Sequence, residues 1–122
     1  MGTFKVQLQL GDPQGERWET VEALVDTGAS FSMFPRSLLD RLGVTPQEKA
    51  AFQLADGRSI QCDVAQTQVR IDGRTRTTLV IFGEPGTDPL LGAYTLEGFL
   101  LAADPVKRRL IPVDGLLKTL ER

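Results

Sequence analysis

The segment Ala23-Leu24-Val25-Asp26-Thr27-Gly28-Ala29-Ser30 constrains this chain more than any other. An apolar run of strand character leads straight into a carboxylate, and a glycine follows two residues later. Glycine lets the backbone turn where a side chain would obstruct it. Asp26 is therefore expected in the core at the end of a strand, not on an exposed face. Thr27 and Ser30 add hydroxyls able to fix such a loop. The same residues also fit a plain turn, because Asp before Thr-Gly often caps one. Spacing alone leaves both readings open.

Around this segment the pattern is one of short strands. Phe4, Val6, Leu8 and Leu10 alternate with polar residues, the period of a half-buried strand. Gly11 to Gly15 is a turn, and Trp18 to Val25 forms the second arm of a hairpin. Pro35 to Gly43 reads as a short helix, with proline near its start, Gly43 as its stop, and Leu38, Leu39 and Leu42 on its apolar face. Asp56-Gly57, inside Phe52 to Val64, is a hairpin signal. A second lies at Asp72-Gly73, between Thr67-Val69-Ile71 and a strand from Thr75 to Phe82. Gly83 to Pro89 is a loop, followed by Leu90-Leu91-Gly92 and a short helix from about Ala93 to Phe99. Leu100 to Ala103 and Arg109 to Val113 read as closing strands. Leu116 to Arg122 is either a short helix or a frayed end. A faint echo links Val25 to Leu42 with Val80 to Leu101: apolar strand, glycine-containing loop, leucine helix.

Composition removes whole classes of chemistry. Histidine is absent, which excludes Ser-His and Cys-His pairs and imidazole zinc sites. The single cysteine, Cys62, permits no intrachain disulfide and reads as an inert thiol. No metal and no cofactor are expected. Carboxylates, lysines, the tyrosine and the cysteine remain as acid/base candidates. A net charge of -2 supplies no basic field for nucleic acid, and Lys107-Arg108-Arg109 reads as a solvated turn. No apolar run is long enough to span a membrane, and no apolar leader precedes Phe4, so a cytoplasmic location without membrane contact is expected. The 122 residues suit one domain, 1–122.

Asp26-Thr27-Gly28-Ala29-Ser30 resembles the catalytic loop of aspartic peptidases. Leu90-Leu91-Gly92, followed by a leucine-bearing helix, is similar to the hydrophobic-hydrophobic-glycine element of the retroviral type, the retropepsins. The Asp56-Gly57 hairpin falls between them, where that family has its flap. The resemblance spans about residues 4 to 113 and is closest to the soluble bacterial retropepsin-like proteins. It implies an all-β fold with short helices: a closed barrel or sandwich half-domain, one lobe of an aspartic peptidase. It also implies Asp26 as the catalytic residue and Thr27, Gly28, Ala29 and Ser30 as the active-site loop. Ala55, Asp56, Gly57 and Arg58 would form the flap over a cleft bordered by Leu90, Leu91 and Gly92. Retroviral enzymes usually carry an acidic residue where Ser30 stands and an arginine where Ala93 stands. That ion pair is missing here, so its supporting role must be met in another way.

The family chemistry needs two carboxylates on one water, and this chain has one Asp-Thr-Gly. The second must come from another copy, which makes a homodimer acting on a polypeptide the expected arrangement. Two unit charges about 3 Å apart, at an effective dielectric of about 20, repel by roughly 5 kcal/mol. Such a pair shares one proton over a wide pH range. Ala29 offers no hydroxyl to favour the charged form, so endopeptidase activity is expected to extend to mildly acidic pH. The alternative is a non-catalytic peptide-binding or dimerisation module with the same fold.

Overall fold

The computed structural model describes residues 3–115. The tail from Leu116, read as helix or frayed end, lies outside the described residues. Strands β1 (Phe4–Gly11) and β2 (Trp18–Val25) pair antiparallel in the expected hairpin, from Phe4↔Val25 to Gly11↔Trp18. Trp18 locks its turn by donating Nε1–H to the Gly15 carbonyl at 2.9 Å. Its ring fills the space where a Cβ on Gly11 would lie, at 2.7 Å. Only glycine fits there.

Next come β3 (Ser32–Pro35), α1 (Arg36–Arg41), β4 (Glu48–Gln53), β5 (Ser59–Ile71) and β6 (Arg74–Gly83). The chain continues through β7 (Leu90–Leu91), α2 (Ala93–Gly98), β8 (Leu101–Asp104) and β9 (Arg109–Pro112). The main sheet runs β1-β2-β7-β3-β6-β5-β4, and β1 pairs again with β5 at Gln9↔Arg70 and Leu10↔Val69. That second pairing closes the sheet into a barrel, as the retropepsin-like reading implied. The β4–β5 hairpin extends the ladder beyond the ring, and β8 with β9 forms a separate two-stranded sheet.

Leu10, Ala23, Phe34, Leu39, Val69, Val80, Leu91 and Phe99 are fully buried at the centre. Burying each large apolar side chain contributes about 1.5–3 kcal/mol before conformational entropy is counted. Leu38 and Leu39 of α1 are buried, and so is Leu42 at its C-cap, on the face that the helical spacing predicts.

Two features differ from the sequence reading. β5 is one continuous strand where two segments were expected. It passes from pairing with β4 to pairing with β6 at Val64, and Val64 and Ala65 are both buried there, which breaks the alternation. β3 was not foreseen, because it has four residues and puts a serine in the core.

The internal echo becomes an interlock. β2 pairs parallel with β7, and β3 pairs parallel with β6. The strand-loop-strand-helix unit of each half thus inserts its second strand beside the first strand of the other. This interlock positions the loop that follows Val25.

Candidate active site

The loop after β2 is fixed by backbone bonds to β7 and α2. Asp26 donates its N–H to the Leu91 carbonyl at 3.1 Å, and Ala29 N–H returns to the Asp26 carbonyl at 3.1 Å. From the far side, Ala93 N–H donates to the Ala29 carbonyl at 2.9 Å and Tyr94 N–H to the Ser30 carbonyl at 2.8 Å. Gly92 is the point of closest approach. A Cβ there would sit 2.6 Å from the Phe31 carbonyl carbon and 3.0 Å from the Ala29 oxygen. Both halves of the resemblance, Asp26-Thr27-Gly28 and Leu90-Leu91-Gly92, therefore meet in one structure.

Beneath this contact lies a buried hydroxyl chain that the sequence did not reveal. Gly92 N–H donates to Ser32 Oγ at 3.0 Å. Ser32 Oγ lies 2.7 Å from Thr95 Oγ1, which lies 2.9 Å from Thr78 Oγ1. Among the described residues, no buried side-chain polar atom lacks a partner. The network supports this close approach without burying a charge, which is costly. Nothing in the sequence marks Ser32, Thr78 and Thr95, because isolated hydroxyls in strands and helices have no spacing signature.

Asp26 itself is half-buried, which corrects the expectation of a carboxylate deep in the core. Its backbone is anchored, but its side chain lies at the rim of the barrel. Oδ1 accepts the Gly28 N–H at 3.0 Å, so the turn-capping role read from Asp-Thr-Gly is also fulfilled. Thr27, Gly28 and Ser30 are exposed and Ala29 is half-buried. Neither the Thr27 nor the Ser30 hydroxyl makes a hydrogen bond among the described residues. Three His, Cys, Asp or Glu side chains converge nowhere among the described residues as a metal site would require.

Two cavities meet at this loop. One, of about 520 Å³, lies between Gly28-Ala29-Ser30 and the β4–β5 hairpin, and is lined by Phe31, Met33, Phe52, Ile60 and Leu90. Phe31 joins its walls, 5.8 Å edge-on from Phe52 and 5.5 Å from Tyr94 by ring centroid. Leu90 lines this cleft, while Leu91 is buried behind it. Cys62 sits half-buried in the same wall, and Trp18 lines neither cavity. The second cavity, about 310 Å³, opens beside Asp26, Thr27 and Gly28. Gly28 lines both cavities, and Asp26 borders the second.

The hairpin tip is built differently. Leu54 N–H donates to the Arg58 carbonyl at 2.7 Å, and Gly57 takes φ 90°, which glycine tolerates. Ala55, Asp56, Gly57 and Arg58 are all exposed. Arg58 does not reach into the cleft; its Nε pairs with Asp56 Oδ2 at 2.8 Å. The Arg58 N–H and then its side chain hold the Asp56 carboxyl below the usual carboxylate range. At the hairpin base, Asp63 bonds Lys49 at 2.8 Å and Arg36 at 2.6 Å. Those two cations, Lys49 first, lower the Asp63 pKa.

Residues 6–95 match the family of aspartyl proteases. The chain belongs to that family. This aspartyl protease is also similar in structure to the protease of simian foamy virus (mac), solved in solution, with a TM-score of 0.54. The likeness covers 75% of this chain and 90% of that one at 20% identity, so it speaks to the fold. Family and fold together make the chain a retropepsin-like aspartic peptidase. None of the curated proteins matches its sequence. Among the described residues, no helix of the protease is long and apolar enough to cross a membrane.

Proposed function

We propose that the chain is one subunit of a homodimeric aspartic endopeptidase, in which the Asp26 carboxylates of two copies activate one water. The observation that carries this is the placement of Asp26, anchored by its backbone at the end of β2 and bordering one cavity, two residues from Gly28, where the larger cleft begins. Asp56 and Asp72 are in hairpin turns, and Asp88 and Asp104 precede prolines, so no other aspartate follows an apolar strand into Thr-Gly.

One carboxylate takes a proton from the water as its oxygen attacks the peptide carbonyl carbon. The other, protonated, donates to the carbonyl oxygen as negative charge develops there. The accepted proton then reaches the leaving amine as the C–N bond breaks. The substrate lies extended beneath the β4–β5 hairpin and pairs its backbone with the hairpin strands. Its apolar side chains enter the cleft of Phe31, Met33, Phe52, Ile60 and Leu90.

The test is incubation with a denatured protein at several pH values, with and without a pepstatin-like inhibitor, for the wild type and Asp26→Asn. Inhibitable cleavage that Asp26→Asn abolishes, and that extends to mildly acidic pH because Ala29 gives the pair no hydroxyl, is the expected result. Peptide binding without cleavage, at any pH and at high protein concentration, would make the chain a non-catalytic peptide-binding module instead.

A further inference from the structure

Met33, Ile60 and Cys62 line the apolar cleft, and the same three residues line a further cavity of about 440 Å³. The two hollows adjoin but differ in chemistry. No charged side chain lines the cleft. The adjoining annex adds Arg36, Lys49, Asp63 and Glu84. Strand pairing brings these charges together from four places in the sequence. Lys49 stands opposite Asp63 in the β4–β5 register, and the pairing of Pro35 with Gly83 sets Arg36 beside the loop that carries Glu84.

The cations are presented and the carboxylate between them is not. The Asp63 side chain is 16% exposed, against 44% for Arg36 and 67% for Lys49. A clamp between α1 and the hairpin accounts for Asp63, but it leaves a surplus of donors. Each cationic side chain makes one hydrogen bond among the described residues, Arg36 through Nη2 and Lys49 through Nζ. A guanidinium has five N–H groups and an ammonium three. Arg36 also lies over the Phe82 ring, 5.0 Å from its centroid, which restricts its freedom to swing away. One carboxylate shared by two cations leaves one positive charge in excess at this wall. Glu84, exposed in the loop after β6, is the charge of the annex that opposes a second anion.

We infer that this annex selects an acidic side chain of the polypeptide substrate, whose carboxylate accepts the free N–H groups of Arg36 and Lys49 while an apolar neighbour on the same face fills the cleft. The inference rests on the reading that a polypeptide lies extended beneath the β4–β5 hairpin. In an extended chain, alternate side chains project to one face about 6.6 Å apart. Two adjoining hollows are therefore filled by alternate side chains of one segment, one apolar and one acidic. In a homodimer the annex occurs twice, so acidic residues are selected on both sides of the cleaved bond.

The test uses apolar peptides that carry Glu, Gln or Lys at one position, moved in turn along the peptide. Calorimetric titration into Asp26→Asn reads binding without cleavage. Competition between the same peptides for the wild type, followed by mass spectrometry, reads the ratios of kcat/KM. At one position or more, the Glu peptide is expected to bind and be cleaved about tenfold better than the Lys peptide, with Gln between them. High salt should shrink that preference. Lys49→Glu should reverse the order, and Glu84→Gln should widen it about threefold. Each comparison is a ratio within one variant, so a loss of folded protein cancels. No preference for Glu over Lys at any position, the wild-type order retained in Lys49→Glu, or no peptide binding at all overturns the inference. Its failure is separable from failure of the peptidase reading. Selective binding of Glu peptides by Asp26→Asn, with no cleavage by the wild type, sinks only the latter. Cleavage of all three peptides alike sinks only the former.

Discussion

The loop from Asp26 to Phe31 and the β4–β5 hairpin, whose tip runs from Ala55 to Arg58, lie on two sides of one cleft but are held by different forces. The loop is clamped by backbone bonds from β7 and α2, over a buried chain of hydroxyls and a glycine that admits no side chain. The tip has one exposed ion pair and a glycine with nothing within 4 Å of its would-be Cβ. Bonds sheltered from water persist, and bonds in water exchange with it. The difference suits a site in which one wall fixes a carboxylate and the other opens for a polypeptide.

Substitutions sharpen this contrast, beginning with the largest effect. Asp26→Asn keeps an acceptor for the Gly28 N–H but removes the acid. Cleavage should fall by about a thousandfold or more while the thermal midpoint barely moves. Gly92→Ala forces the Phe31 backbone aside and should destabilise by about 2–3 kcal/mol in urea unfolding. Activity should fall with it, because the same contact sets the position of Asp26. Gly57→Ala meets no atoms but needs positive φ, so it should cost about 1 kcal/mol, confined to the tip. If the two glycine variants unfold alike, the contrast between clamped and open walls is wrong.

Smaller effects test the supports. Thr95→Val leaves Ser32 and Thr78 without their shared partner and should cost about 1–2 kcal/mol by chemical denaturation. Arg58→Ala should change stability by less than about 0.5 kcal/mol, since exposed pairs contribute little. A marked loss of cleavage in Arg58→Ala with unchanged stability would reveal a substrate contact that the Asp56 pairing conceals.

Acid acts through carboxyls whose folded pKa is lowered. Asp12, at the β1–β2 turn, is held below the usual range chiefly by the Arg17 N–H and also by the Glu16 N–H, each at 2.7 Å. Asp63 is lowered by Lys49 and Arg36. A depressed folded pKa gives stability that is present above the ordinary carboxylate pKa of about 4 and is lost as pH falls through the folded value. Unfolding midpoints should therefore be flat from neutral pH down to about 5 and decline below about 4. Asp12→Asn should flatten part of that decline.

Much of the fold was legible because its signals are local. The β1–β2 alternation, the Asp-Gly turns and the leucine face of α1 are each written within a dozen residues, and each appears where it was read. β3 and the continuity of β5 were not legible. A four-residue strand with a buried serine, and a strand that changes partner at Val64, are decided by neighbours distant in sequence. In the site, Asp26-Thr27-Gly28 and Leu90-Leu91-Gly92 could be picked out as motifs, but their meeting at the Gly92–Phe31 contact could not be derived from either. The hydroxyl chain of Ser32, Thr95 and Thr78 had no local signal.

Residue order alone tells that a carboxylate ends an apolar strand, that no imidazole can assist it, and that one chain supplies only one such group. These follow from residue identity and short-range periodicity, which need no partner in space. Tertiary contacts settled that Asp26 sits at a rim instead of in the core, that Arg58 is paired with Asp56, and that Leu90 lines the cleft while Leu91 is buried behind it. Each depends on which strands become neighbours, and that is settled by closing the barrel around its core.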